Sequence, residues 1–121
     1  MAQHLLDLAF SASKVFYETA LSAKALVKAT SPTVKAIEIV NSANAGVYVK
    51  GWFAASTGAV TLGTTDPDVI WFVPALKTRR ILITGAGAVY STGLVVAAVT
   101  TGGTPGVTAP TTPPGVKIVY S

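Results

Sequence analysis

The segment ILITGAGAVYSTG, positions 81–93, is the part of this sequence that comes nearest to a cofactor-binding motif. A hydrophobic run leads into Gly85 and Gly87, as where a strand enters the glycine-rich turn of a dinucleotide site. Such a site also needs a third glycine, where this chain has Tyr90, and a helix whose N-terminus meets the pyrophosphate. It further needs an acid about 20 residues later for the ribose, and no Asp or Glu follows Asp68. We therefore interpret the Gly-Ala-Gly unit as a turn between two strands, and expect no cofactor.

Residues for nucleophilic or metal chemistry are also few. Ser91 lacks the preceding glycine of a nucleophile elbow, and His4 is the single histidine, so a Ser-His-Asp site is not predicted. Asp66 and Asp68 flank a proline, which allows a weak calcium contact but favours an ordinary Asx turn. The absence of cysteine excludes disulfides, zinc ribbons, iron–sulfur clusters and thiol nucleophiles. The sequence predicts neither an enzyme nor a metal site.

A basic cluster of Lys77, Arg79 and Arg80 is the strongest charge feature. Nucleic-acid binding is not favoured, because phosphate recognition spreads many cations over one face and the net charge is only +4. We interpret the arginine pair as a solvated or partner-contacting rim. Trp71 is expected in the core and Trp52 in the core or an interface, with stacking on sugar rings as a less favoured alternative.

Composition indicates one compact domain that is covered by partners. The chain has 121 residues, 50% hydrophobic and only 12% charged, enough apolar surface for a single core. Its mean hydropathy of +0.56 is high for a small soluble monomer. The longest apolar runs are strand-sized, so no membrane helix is predicted, and the first ten residues, with an internal Asp7 and no basic lead, do not predict a secretory signal.

Turn residues divide most of the chain into short β-rich runs. In 47–53, Val47 and Val49 lie on one face and Lys50 and Trp52 on the other, so both faces can be buried. The most hydrophobic run, 94–99, is expected to be a central strand. The predicted strands are 23–29, 34–40, 47–53, 69–73, 79–84, 94–99 and 116–120. Together with one strand from the preceding residues, these runs predict an all-β fold, a jelly-roll-like antiparallel β-sandwich of about seven or eight strands. Residues 23–121 are expected to form the sandwich domain.

Residues 1–22 are expected to form an extended N-terminal arm. Ser13 could cap a helix with Phe16 on its apolar stripe. The β-branched and aromatic residues of 14–20 favour a strand there instead.

Residues 23–120 resemble small virion proteins of tailed bacteriophages. The resemblance lies in KALVKATSPTVKAIEIVNSANAGVYVKGWF, VTLGTTDPDVIWFVPA, VYSTGLVVAAVTTGG and the closing VKIVY. These segments match a pattern of two strands around a Ser/Pro turn, an Asn-rich turn, a "YVK" strand, a "GT-x-x-P" loop and "STGL" opening an apolar strand.

The resemblance implies a noncatalytic virion component, a capsid decoration or cement protein that binds the major capsid protein and its own copies. The arm would then reach a neighbouring subunit by β-augmentation or by placing aromatic side chains in a groove. A tail, neck or head-fibre component and, less favoured, a carbohydrate-binding module are the alternatives; neither nucleic acid nor a membrane is an expected partner. The candidate partner-contact residues are Leu5, Leu6, Leu8, Phe10, Phe16, Tyr17, Trp52, Arg79 and Arg80.

Overall fold

A computed structural model describes residues 13–121, which form a sandwich-like arrangement of two antiparallel sheets. The strands in chain order are β1 (Lys14–Glu18), β2 (Ala25–Lys28), β3 (Thr33–Val40), β4 (Val47–Trp52), β5 (Val69–Val73), β6 (Thr78–Leu82), β7 (Ala88–Val89), β8 (Leu94–Val99) and β9 (Gly115–Tyr120). A single 3₁₀ turn, Thr57–Ala59, is the helical element of the described part. The all-β prediction is confirmed.

The strand order places chain neighbours in opposite sheets. Sheet A has the order β1-β9-β3-β6, with β7 pairing to the start of β3 beside β6, and sheet B has the order β2-β8-β4-β5. Only the β4–β5 and β6–β7 connections join strands of the same sheet. All the remaining connections cross from one sheet to the other, which makes most strand pairings long-range.

The main core lies between the two sheets. A bulge between Val34 and Ala36 shifts the register of β3 against β9, so Val34 and Ile37 both face inward although they are three residues apart. Val96 and Ala98 of β8 contribute from the opposite sheet. The remaining buried side chains of this cluster are Leu21, Val27, Ile39, Val47, Val49, Trp71, Val73, Leu94, Val116 and Ile118.

Strand β8 is central, as its composition predicts. It pairs with β2 on one side and β4 on the other, and all six of its residues are buried. Its alternate residues Val95 and Ala97 face away from the main core and join Trp52 and Val60 in a second apolar cluster. Strand β8 and most of β4 are thus buried on both faces.

The predicted strand near residue 14 is confirmed as β1, which pairs with β9 along its whole length. Phe16 packs against the main core, and Leu21, just beyond the strand, is 1% exposed. The part of the expected arm that the structure describes therefore includes an edge strand of sheet A, and the helix alternative for this region is wrong. Within residues 13–121, no helix is long and apolar enough to span a membrane.

Candidate functional site

The two outer faces of the sandwich differ in what covers them. On sheet B, the loops at 53–68 and 100–114 lie over the sheet and supply Val60, Leu62 and Gly106 to its outer face. Trp52 on that face is 2% exposed, and its indole Nε1 donates a hydrogen bond to the Thr65 carbonyl at 3.0 Å. The chain itself closes this outer face over β4 and β8, while Leu26, Ile70 and Phe72 on the flanking strands stay 40–42% exposed.

Lys50 lies on the same closed face and is fully buried. Its Nζ atom donates a hydrogen bond to the carbonyl oxygen of Gly106 at 2.9 Å, and burial lowers the pKa of this amine. Lys50 is not among the residues predicted for a site, although its place on one face with Trp52 indicated that this face could be buried. Its long side chain joins β4 to the loop at 100–114.

The outer face of sheet A has no comparable cover, and we call it the open face. Register places Val15, Val119, Ala36 and Leu82 side by side in one row across its four strands. Two members of this apolar row are largely in solvent, with Val15 56% and Leu82 65% exposed. An apolar row of this kind across a whole sheet is a feature of interaction surfaces.

A second row of the open face carries charge and an aromatic ring. Tyr17, Lys117, Glu38 and Arg80 follow one another across β1, β9, β3 and β6. The Lys117 Nζ atom lies 5.0 Å from the centroid of the Tyr17 ring, and Arg80 Nε donates to Glu38 Oε2 at 2.6 Å. Since the Arg80 side chain is 77% exposed, this ion pair contributes little to stability. Its position on an open face makes it available to a partner.

A groove of about 330 Å³ separates the two rows on the β9–β3–β6 part of the open face. It is lined by apolar side chains of the three strands and by three charged ones: Ala36, Ile37, Ile81, Leu82 and Val119, with Glu38, Arg80 and Lys117. A smaller groove of about 210 Å³ lies on the other side of the polar row, between Tyr17 and Val40. Apolar walls with a charged rim suit a side chain of a protein partner better than they suit a reaction centre.

Strand β6 forms one edge of the open face. The backbone N–H of Asn41 donates to the Lys77 carbonyl, and the backbone N–H of Ile83 donates to the Lys35 carbonyl. Antiparallel alternation then assigns the backbone groups of residues 77, 79, 81 and 83 to β3 and turns those of residues 78, 80 and 82 away from the sheet. In residues 13–121, no other strand pairs with this side of β6.

The basic cluster lies at this edge. Lys77, Arg79 and Arg80 are all exposed, and Arg79 Nη1 donates to the Phe72 carbonyl of β5 at 3.1 Å, which links the edges of the two sheets. Lys117 adds a fourth cation to this region, and Glu38 is the carboxylate among them. The edge and its groove are therefore positively charged.

The glycine motif forms an interruption of this edge. Gly85 and Gly87 have φ values of +72° and +94°, a conformation that glycine adopts without strain. They lie between β6 and β7, which both pair with β3, so the turn interpretation is confirmed. No helix follows the turn in the described chain, where β8 begins at Leu94.

The acidic candidates serve as loop contacts. Asp68 Oδ2 accepts a hydrogen bond from the Phe53 amide at 2.7 Å, and Asp66 Oδ1 accepts one from the Thr104 hydroxyl, which joins the two loops that cover sheet B. Among the residues described, no group of three or more His, Cys, Asp or Glu side chains is placed to hold a metal ion.

The structure separates the candidate partner-contact residues. Tyr17, Arg79 and Arg80 are exposed at the open face or its edge. Trp52 is buried in the second cluster and offers no such surface. Phe16 is half-buried and packs on the main core. Four further candidates lie outside the described residues: Leu5, Leu6, Leu8 and Phe10.

Comparison of the chain with protein-family models, curated proteins and solved structures finds no match.

Proposed function

We propose that this protein is a structural component of a tailed-bacteriophage virion, a capsid decoration or cement protein that binds the shell and further copies of itself through the open face. The observation that carries the proposal is the difference between the two outer faces. One is covered by loops over its centre, to the point of burying Lys50 completely, and leaves apolar side chains of its flanking strands 40–42% exposed, while the other leaves Val15 and Leu82 more than half exposed.

Burial energetics support an interaction role for the open face. Two loops of about 15 residues each, 53–68 and 100–114, lie over the outer face of sheet B. The outer face of sheet A keeps an apolar row and two grooves. Burying apolar surface contributes about 25 cal/mol per Å² before association costs. Repeated contacts between copies on a shell add avidity, so weak individual interfaces suffice.

The topology also supports this proposal. We propose that the sandwich is a jelly roll, since β1-β9-β3-β6 faces β2-β8-β4-β5 and the β6 and β7 segments occupy one strand position. Jelly rolls occur in viral capsid domains and also in lectins and cupins, so the fold alone does not select a function. Trp52 supplies no platform for a sugar, because it is buried, which disfavours the carbohydrate-binding alternative that depended on it.

Mass spectrometry of gradient-purified virus particles from the source of this sequence tests the proposal. We expect the chain to remain with the particles at a fixed ratio to the main shell protein. A copy number matching the shell lattice supports decoration, and a single ring of copies identifies a tail or neck component instead. Absence of the chain from washed particles would overturn the proposal.

Re-addition to particles that lack the protein tests the surface. Leu82→Lys places a charge in the apolar row of the open face and should reduce the bound copies at least about tenfold. Val107→Lys is the matched control, because Val107 is 51% exposed on a loop over the closed face. Equal binding by the two variants would show that the open face is not the contact.

A further inference from the structure

We infer that the free edge of β6 binds an acidic, extended segment of the main shell protein, which adds to sheet A as an antiparallel strand. This inference deepens the proposed function and rests on it, because it gives the chemistry of the shell segment and the strand that receives it. From N- to C-terminus, the shell segment has two apolar residues followed by two acidic residues.

The edge of β6 has unused backbone hydrogen-bonding groups. Thr78, Arg80 and Leu82 each turn one N–H and one C=O away from the sheet, and all three residues are exposed. An added strand would pair these groups in the antiparallel pattern of the rest of sheet A. Main-chain pairing of this kind gives β-augmentation its affinity, and the side chains of the edge give it specificity.

The two arginines of β6 lie on opposite sides of this edge. Arg80 is on the open face beside Glu38, whereas Arg79 alternates to the other side and donates to the Phe72 carbonyl of sheet B at 3.1 Å. Each of these contacts uses one nitrogen of the guanidinium, so the side chain is positioned and still has N–H donors for a carboxylate. Successive residues of an added strand point to alternate faces, so two adjacent acidic residues would meet the two arginines.

The next two positions of β6 favour apolar partners. Leu82 is 65% exposed and lines the groove of about 330 Å³, and Ile81 is half-buried and packs against the main core. Apolar residues of an added strand opposite them would remove this surface from water. An antiparallel strand runs against β6 and meets these two residues before the arginines, which gives the order apolar, apolar, acidic, acidic.

The charge of the edge favours an acidic partner over a further copy of this chain. Pairing β6 with the β6 of a second copy would bring Lys77, Arg79 and Arg80 of both chains into one interface, and like charges in such contact oppose association. Residues 1–12 of the chain contain one carboxylate, that of Asp7, so they cannot supply two adjacent acidic residues. A partner strand that brings carboxylates neutralises the edge.

NMR of the ¹⁵N-labelled full-length chain tests the inference with the peptide acetyl-Thr-Leu-Val-Glu-Glu-Thr-amide. We expect the backbone amides of Thr78, Arg80 and Leu82 to shift and to exchange more slowly with solvent when the peptide binds, because these amides point outward. The amides of Arg79 and Ile81 pair with β3 and should exchange slowly without the peptide. Protection that alternates along β6 identifies strand addition and distinguishes it from binding in the groove.

Two further peptides are the controls for side-chain order and for backbone pairing. The reversed sequence has the same composition and charge and should bind at least about tenfold more weakly, since an antiparallel strand then places acidic residues opposite Leu82 and Ile81. N-methylation of the first glutamate, which lies opposite Arg80, removes one N–H donor and keeps the charge. This change should weaken binding by about the same factor.

Charge exchange tests the arginine of the open face. Arg80→Glu should weaken binding of the acidic peptide at least about tenfold, and a peptide with lysine in place of the first glutamate should bind this variant better than the native chain. Lys14→Glu is the matched control, because it makes the same charge change at an exposed position of the opposite edge strand β1. Circular dichroism and urea unfolding check that each variant keeps the fold.

Four outcomes would overturn the inference. The outward amides of β6 stay unchanged at a peptide concentration of about 1 mM; they are protected in the free chain, which shows that the same chain or a second copy occupies the edge; the reversed peptide binds equally well; or a thymidine oligonucleotide binds the arginines more tightly than the peptide does, which indicates a nucleic-acid surface.

Re-addition of Arg80→Glu to particles that lack the protein connects the edge to the shell. We expect fewer bound copies than with Lys14→Glu. Equal binding by the two variants would overturn the inference and leave the proposed function standing, whereas absence of the native chain from washed particles overturns the proposed function itself.

Discussion

The Lys50 ammonium and the Gly106 carbonyl lie 2.9 Å apart at a site with no exposure of the lysine to solvent. The loop carbonyl thus accepts a hydrogen bond from an ammonium group that the fold shields from water. Because a buried charge with one neutral partner is costly, the burial of Lys50 makes the stability of the fold depend on pH.

We expect the free energy of unfolding to rise with pH once the pH exceeds the lowered pKa of Lys50. Burial lowers the pKa of Lys50 from its ordinary value. Between the lowered pKa and about 10.5, the unfolded chain holds a proton that the native chain has released, so stability increases with pH. Measurements should stop near pH 9, because burial raises the pKa of Tyr90, and unfolded tyrosine ionises from about pH 10, which lowers stability.

Urea unfolding of Lys50→Met as a function of pH checks this expectation. The variant should be as stable as the native chain or more stable at pH 7, and its stability should change less with pH. Lys14→Met, at an exposed strand position, should keep the native pH dependence. An equal rise in the free energy of unfolding of Lys50→Met would show that another group causes the pH dependence.

Trp52→Ala should destabilise the fold by about 3–5 kcal/mol, the usual cost of removing a buried aromatic side chain. Trp52 fills the second core cluster and donates a hydrogen bond to Thr65. Tyr17→Ala is the comparison, because that side chain is 61% exposed and its loss should change stability by about 0.5 kcal/mol or less. Chemical denaturation measures both, and a small effect at Trp52 would contradict its place in the core.

Asn41→Ala should cost about 2–4 kcal/mol. The buried side-chain amide of Asn41 donates through Nδ2 to the carbonyls of Ala45, Val73 and Pro74 at 2.9, 3.2 and 3.1 Å. The substitution therefore leaves several acceptors without a partner. The side chain thereby holds the β3–β4 turn against the end of β5. The exposed neighbour Asn44 provides the control, since Asn44→Ala should unfold at nearly the native urea concentration.

Gly93→Ala should destabilise the fold by about 3 kcal/mol or more, because both obstructing atoms belong to the backbone. A Cβ atom at Gly93 would lie 2.7 Å from the Lys28 carbonyl oxygen and would also clash with the Ala54 carbonyl. Gly58→Ala is the matched control, since a Cβ there meets nothing nearer than 4.0 Å. Thermal unfolding of the two variants should differ by many degrees.

The strands could be predicted from the sequence because each run is short, apolar and bounded by turn residues. The face alternation within 47–53 followed from the order of the residues, and the central place of 94–99 followed from its hydrophobicity. The open face could not be predicted, since its rows depend on the pairing of β1, β9, β3 and β6, which are distant in sequence. Glu38 and Arg80 are 42 positions apart, and no local pattern links them.

The sequence by itself determined the class of fold and the shortage of catalytic side chains, because both follow from residue types and their local periodicity. Only the tertiary structure decided which face is sealed and which stays open, since a loop covers a sheet according to where the chain crosses between the two sheets. Trp52 and Leu82 illustrate the difference: both are large apolar residues in predicted strands, yet the fold buries one under a loop and leaves the other 65% exposed.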